Sequence, residues 1–87
     1  MHAVHVRVTV NDREAAVKIL QDQIVPTASG APGFVAGYWV ALPDGKGTSI
    51  VVFESEESAQ AASGQIGQAR DGVTIESVEV GEVVAHA

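Results

Sequence analysis

Eighty-seven residues carry a formal net charge of −6, five Lys and Arg against eleven Asp and Glu. Nucleic acid and anionic membrane surfaces need clustered cations, so both are excluded as partners. The absence of cysteine removes any disulfide framework or thiolate metal site, and no apolar run reaches the roughly 18 residues of a membrane span.

This length makes a single domain, which buries only about 60% of its unfolded surface. Hydrophobic residues are nevertheless 46% of the chain, more than so small a core can hide, so part of the apolar surface is expected to face a partner subunit. Met1 to Val10, MHAVHVRVTV, alternates as a strand does and lacks the charged-then-apolar order of a signal peptide. A cytoplasmic protein is the expectation.

In that first strand Val4, Val6, Val8 and Val10 fall on one face and His5, Arg7 and Thr9 on the other. Asn11-Asp12 breaks the run, with Asp12 as N-cap. A helix over Arg13 to Ser29 follows, its apolar stripe formed by Ala16, Val17, Ile19, Leu20 and Ile24. Pro26 removes a hydrogen bond inside this helix, so the spacing predicts a kink and a stop at Gly30.

Phe34–Leu42 and Thr48–Glu54 are β-rich runs around Pro43-Asp44-Gly45-Lys46-Gly47, which predicts a hairpin with a five-residue loop. On even parity, Phe34, Ala36, Tyr38, Val40 and Leu42 share a face with Ile50 and Val52. Ser55 caps a second helix, Glu56 to Ala69, whose glutamates favour its positive end. Its inner stripe is Ala59, Ala62, Ile66 and Ala69, interrupted by Gly64 and Gly67. Arg70-Asp71-Gly72 reads as a turn.

The last strand, Val73 to Val80, changes apolar parity, so either a bulge lies near Glu76-Ser77 or both faces are half buried. Glu82-Val83-Val84-Ala85 reads as a short extra strand available to another subunit.

The order β-α-β-β-α-β contains a faint repeat, Val8 to Glu14 against Val51 to Glu57, each a strand passing through a polar cap into a helix. Two such halves predict an α+β, ferredoxin-like fold: a four-stranded antiparallel sheet with two helices on one face. The other face then carries Ile50, Val52 and one parity of Phe34–Leu42. A homodimer packed sheet to sheet would hide it.

The segment APGFVAGYWVALPDGKGTSIVVFESEESAQAA resembles the dimeric α+β barrel proteins, in particular the antibiotic-biosynthesis-monooxygenase-like domain. The resemblance spans nearly the whole chain. It implies a homodimer with facing sheets and a pocket either between helices and sheet or inside the barrel. It also implies, as one activity of the group, a cofactor-independent oxygenase acting on an aromatic or polyketide-like molecule, with no metal or flavin. A haem-degrading relative would need a helix-two histidine, and none stands in Glu56–Ala69.

For the oxygenase the resemblance offers His5, Arg7 and Asn11 as catalytic groups and Tyr38 and Trp39 as substrate contacts. His5 would serve as general base and Arg7 would stabilise an enolate or phenolate. Each has a plainer alternative. His5 and Arg7 could form a polar interface patch, with Arg7 paired to Glu54 or Glu76. Trp39 and Tyr38, which point opposite ways, could be core or interface, and Asn11 a strand-end turn. His2 and His86 lack a third ligand of defined spacing, so no metal site is expected. The readings carried forward are the oxygenase, a dimer that binds a small apolar or aromatic ligand without turnover, and a purely structural dimer.

Overall fold

The computed structural model describes residues 1–64 and 73–87. Ile66, Gly67, Ala69 and the turn at Arg70-Asp71-Gly72 lie outside the described residues. Four strands, β1 (His2–Val10), β2 (Phe34–Leu42), β3 (Lys46–Phe53) and β4 (Val73–Glu82), form one antiparallel sheet in the order β2-β3-β1-β4. That order, with the helical segments between β1 and β2 and between β3 and β4, is compatible with the ferredoxin-like arrangement.

The first helical run has three parts: α1 (Arg13–Ile19), a π segment (Leu20–Ile24) and α2 (Val25–Ser29). Asp12 caps it by accepting from the Ala15 amide at 3.2 Å. Proline cannot donate its share of the helical ladder, and the wider π turn lies immediately before Pro26. The disturbance is thus absorbed without ending the helix. Gly30 closes it, its amide donating to the Pro26 carbonyl at 3.1 Å. The second helix, α3 (Glu56–Ser63), is capped by Ser55, which accepts from the Ser58 amide at 3.1 Å.

Val4 and Phe53 are fully buried, and with Val6, Val51 and Ala59 they form the core between sheet and α3. Val8 and Ile75 extend the same face. The strand-one assignment therefore holds: its valines lie under the helices, while His5, Arg7 and Thr9 share the open face with Ile50 and Val52.

The hairpin is tighter than its sequence suggests. Leu42 pairs with Lys46, leaving a three-residue 3₁₀ turn at Pro43–Gly45. Asp44 and Gly45 both adopt positive φ (63° and 72°), which reverses the chain early enough for Lys46 and Gly47 to join β3.

Phe34 does not share the open face. A bulge places Phe34 opposite Phe53 and Ala36 opposite Val52, so Val35 is the extra residue. The Phe34 ring turns inward and meets Phe53 edge to face at 6.4 Å. From Ala36 onward the even positions take the open face, the parity the sequence left undecided: Gly37 and Trp39 lie on the helix side and Tyr38, Val40 and Leu42 on the open side. A second bulge separates Arg7↔Ser77 from Val8↔Ile75, leaving Glu76 as the additional residue. It accounts for the parity change in the last strand, since Ile75, Val78 and Val80 all reach the core.

The extra strand at Glu82–Ala85 does not form within the single chain. Glu82 is the last residue of β4, and Val83 makes one further bond, to the Met1 carbonyl at 3.0 Å. Residues 83–87 belong to no strand among the described residues.

Candidate functional site

The two helical runs meet the sheet differently. α3 presents Ala59 and Ala62, small enough to sit directly on Val4, Val51 and Phe53. The first run presents larger groups, Ile19, Leu20 and Ile24, yet buries only Ala16. Its last part, α2, packs against β2. The remainder stands off and leaves an open cleft of about 1420 Å³.

The sheet wall of the cleft is Val6, Val8, Trp39 and Val51; the opposite wall is Ile19, Leu20, Ile24 and Ala28. These wall residues are apolar or aromatic, with Gln23, Thr27, Ser49 and Ser58 interspersed among them, which suits a ligand that is largely but not wholly apolar. The indole of Trp39, the one tryptophan in the chain, lies over Gly37, which has no side chain to stand in its way. A Cβ at Gly37 would lie 2.7 Å from the indole ring. Charged groups line the cleft at its ends: Arg13, Asp44 and Lys46 by the β2–β3 turn, and Glu57 at the start of α3.

Of the site residues expected from sequence, Trp39 alone lines this cleft. His5, Arg7 and Tyr38 are gathered on the other side of the sheet. His5, Ile50 and Tyr38 form one cross-strand row, and Arg7 lies opposite Thr48. Tyr38 is 65% exposed. His5 is held: its Nε2 lies 2.8 Å from Thr48 Oγ1, and that hydroxyl donates to the Val6 carbonyl at 3.2 Å. A hydroxyl has one proton, so Nε2 must be the donor to Thr48. Nδ1 then has no hydrogen-bond partner among the described residues.

Arg7 forms no ion pair among the described residues; the carboxylate of Glu76 instead takes Lys46, 3.5 Å away, which also donates to Thr9 at 3.1 Å. Asn11 is exposed at the strand end and donates to Thr74 Oγ1 at 2.9 Å, a bond that ties β1 to β4. His2 faces Glu56 at 3.3 Å, an ion pair whenever the imidazole is protonated. No group of three or more His, Cys, Asp or Glu side chains comes together as a metal site among the described residues.

The resemblance implied a pocket either between helices and sheet or inside the barrel; the residues alone did not show which, nor what would line it. Ile19, Leu20 and Ile24 were legible as an apolar stripe, but a stripe does not reveal whether it closes on the sheet. Thr48 was missed because its position diagonal to His5 follows only from the hairpin register. Neither a scan against protein-family models nor a search of curated proteins finds a match to the chain. No helix among the described residues is long and apolar enough to cross a membrane.

Proposed function

We propose that this chain is a small-molecule-binding protein of the dimeric α+β barrel kind, acting as a homodimer in the cytoplasm. The observation that carries this reading is the cleft: an apolar space of about 1420 Å³ between the first helical run and the sheet, with Trp39 in its wall. Ligand pockets are commonly concave, mostly apolar and largely preformed. The histidines lie elsewhere, so the cleft is suited to holding a molecule rather than to moving its protons. The open face, where Tyr38, Val40, Leu42 and Ile50 are all exposed, supports a second copy packed against it. Four such neighbours are an unusual surface for a monomer.

The test uses Trp39 as reporter. Titration with an apolar fluorophore is expected to shift Trp39 emission saturably. Ala28→Phe, which fills the cleft from the helix side, is expected to abolish the shift while the circular dichroism stays native. Unchanged binding in Ala28→Phe would place the ligand elsewhere.

A second reading is favoured by the row on the open face. In a sheet-to-sheet dimer His5, Arg7 and Tyr38 would line the barrel interior, with His5 Nδ1 free as a proton acceptor. That arrangement supports a cofactor-independent oxygenase acting on an aromatic or polyketide-like phenol, His5 taking the phenol proton and Arg7 holding the anion. Oxygen uptake with a panel of such phenols is expected to vanish in His5→Ala. No uptake from the wild-type dimer with any of them would remove this reading and leave the first intact.

A further inference from the structure

One residue on the sheet wall of the cleft is not explained by packing. Toward the helices β3 presents Ser49, Val51 and Phe53; the last two are buried in the core, while Ser49 is half-buried and lines the cleft. Its cross-strand neighbours are Val6 on β1 and Trp39 on β2. Residues directly opposite each other on one face of a sheet stand about 5 Å apart at Cβ, so the hydroxyl lies beside the indole. It has no hydrogen-bond partner among the described residues. It is also reachable, because the one fully enclosed hydroxyl without a partner among the described residues belongs to Ser77. The other uncharged polar side chains of the wall differ. Ser58 accepts from Ser55 at 3.2 Å, and Gln23 and Thr27 are exposed.

Charge gives the cleft no preference for an ion. Its charged wall residues, Arg13, Asp44, Lys46 and Glu57, are all exposed, two of each sign. Lys46 is paired with Glu76, and Asp44 stands at the same end to offset Arg13. Glu57 lies in the first turn of α3, where the helix end favours an anion. A charged ligand would lose water against Val6, Val8 and Leu20 with no opposite charge set aside for it.

We propose that the cleft takes an uncharged, mainly apolar molecule bearing a carbonyl or hydroxyl oxygen, and that Ser49 fixes its orientation by donating a hydrogen bond to that oxygen beside Trp39. This rests on the binding reading given above. Apolar contact supplies most of the affinity. Ser49 supplies selectivity: a pure hydrocarbon covering it would strip water from a hydroxyl and return nothing, whereas a ligand oxygen restores the bond.

The experiment compares 2-acetylnaphthalene with 2-ethylnaphthalene, which differ in a carbonyl, and with 2-naphthoate, which adds a charge. The ketone is expected to quench Trp39 saturably; the other two are read by the quenching they relieve. Ser49→Ala is expected to weaken the ketone about three- to tenfold, the range of one hydrogen bond, and not to weaken the hydrocarbon. Ser49→Thr keeps the hydroxyl and is expected to retain most of the ketone affinity. Naphthoate is expected to bind at least tenfold more weakly than the ketone. If Ser49→Ala leaves the ketone unchanged, or weakens ketone and hydrocarbon alike, recognition by Ser49 is overturned while the cleft stands. Naphthoate binding as tightly as the ketone overturns the preference for an uncharged ligand. If the ketone does not quench Trp39 saturably, the cleft is not a binding site and this assignment falls with it.

Discussion

Ile50→Lys separates the fold of one chain from the association of two. Ile50 is 44% exposed on the open face, between His5 and Tyr38 in the cross-strand row. In a single chain a lysine there lies against water, so the change in folding stability is expected to stay within about 0.5 kcal/mol. In a two-fold sheet-to-sheet dimer the substitution appears twice. Ile50 has roughly half its surface still to bury, so each lost isoleucine removes about 1 kcal/mol of burial. Each ammonium forced into the contact without a partner costs about 2 kcal/mol more. The sum, about 6 kcal/mol, weakens the dimer by about four decades. Sedimentation velocity at micromolar protein reads this directly: dimer for the wild type, monomer for Ile50→Lys, with matching far-ultraviolet circular dichroism. A wild-type monomer under those conditions, or a variant that still dimerises, refutes the reasoning.

Other substitutions test the packing and the site. Phe53→Ala empties the core at its fullest side chain, 1% exposed, and is expected to cost about 4 kcal/mol in urea unfolding. A double-mutant cycle with Phe34→Ala is expected to return about 1 kcal/mol of coupling for the edge-to-face pair, and zero coupling would discount it. Thr48→Val removes the acceptor that fixes His5, so nitrogen-15 shifts of the neutral ring are expected to pass from the Nε2–H tautomer to a mixture; no change would break the assignment. Gly37→Ala places a methyl group against the indole and is expected to displace Trp39, altering its emission and weakening ligand binding. Asp44→Val puts a branched side chain at φ 63° and is expected to lose about 1–2 kcal/mol, whereas Asp44→Gly should lose none.

The sheet and its helix-side face were readable from the chain because each element carried its own local signal. Alternating valines announced β1, and Asp12 and Ser55 marked the caps. The change of parity around Glu76 left a bulge or two half-buried faces as alternatives, and the pairing with β1 shows the bulge. The bulge at Val35 left no such trace: FVAGYW alternates as well with it as without it, and only the position of Phe53 across the sheet decides. The same holds for the site. His5 and Arg7 were predicted to share a face, and they do; which of Tyr38 and Trp39 joins them was left open by the uncertain hairpin register, and the pairing of β2 with β3 puts Tyr38 there. Whether helix one rests on the sheet depends on volumes summed across elements distant in sequence, Ala59 and Ala62 on one side, Ile19 and Leu20 on the other. Local pattern has no access to that comparison.

Val35 acts as a half-step in the rhythm of β2. Phe34 and Trp39 stand an odd number of positions apart, so an unbroken strand would send them to opposite sides. With one residue set aside, both aromatics reach the same layer, Phe34 to close the protein's interior and Trp39 to furnish its opening. Removing Val35 would force a choice between them. The chain would keep its seal or its sensor, but not both.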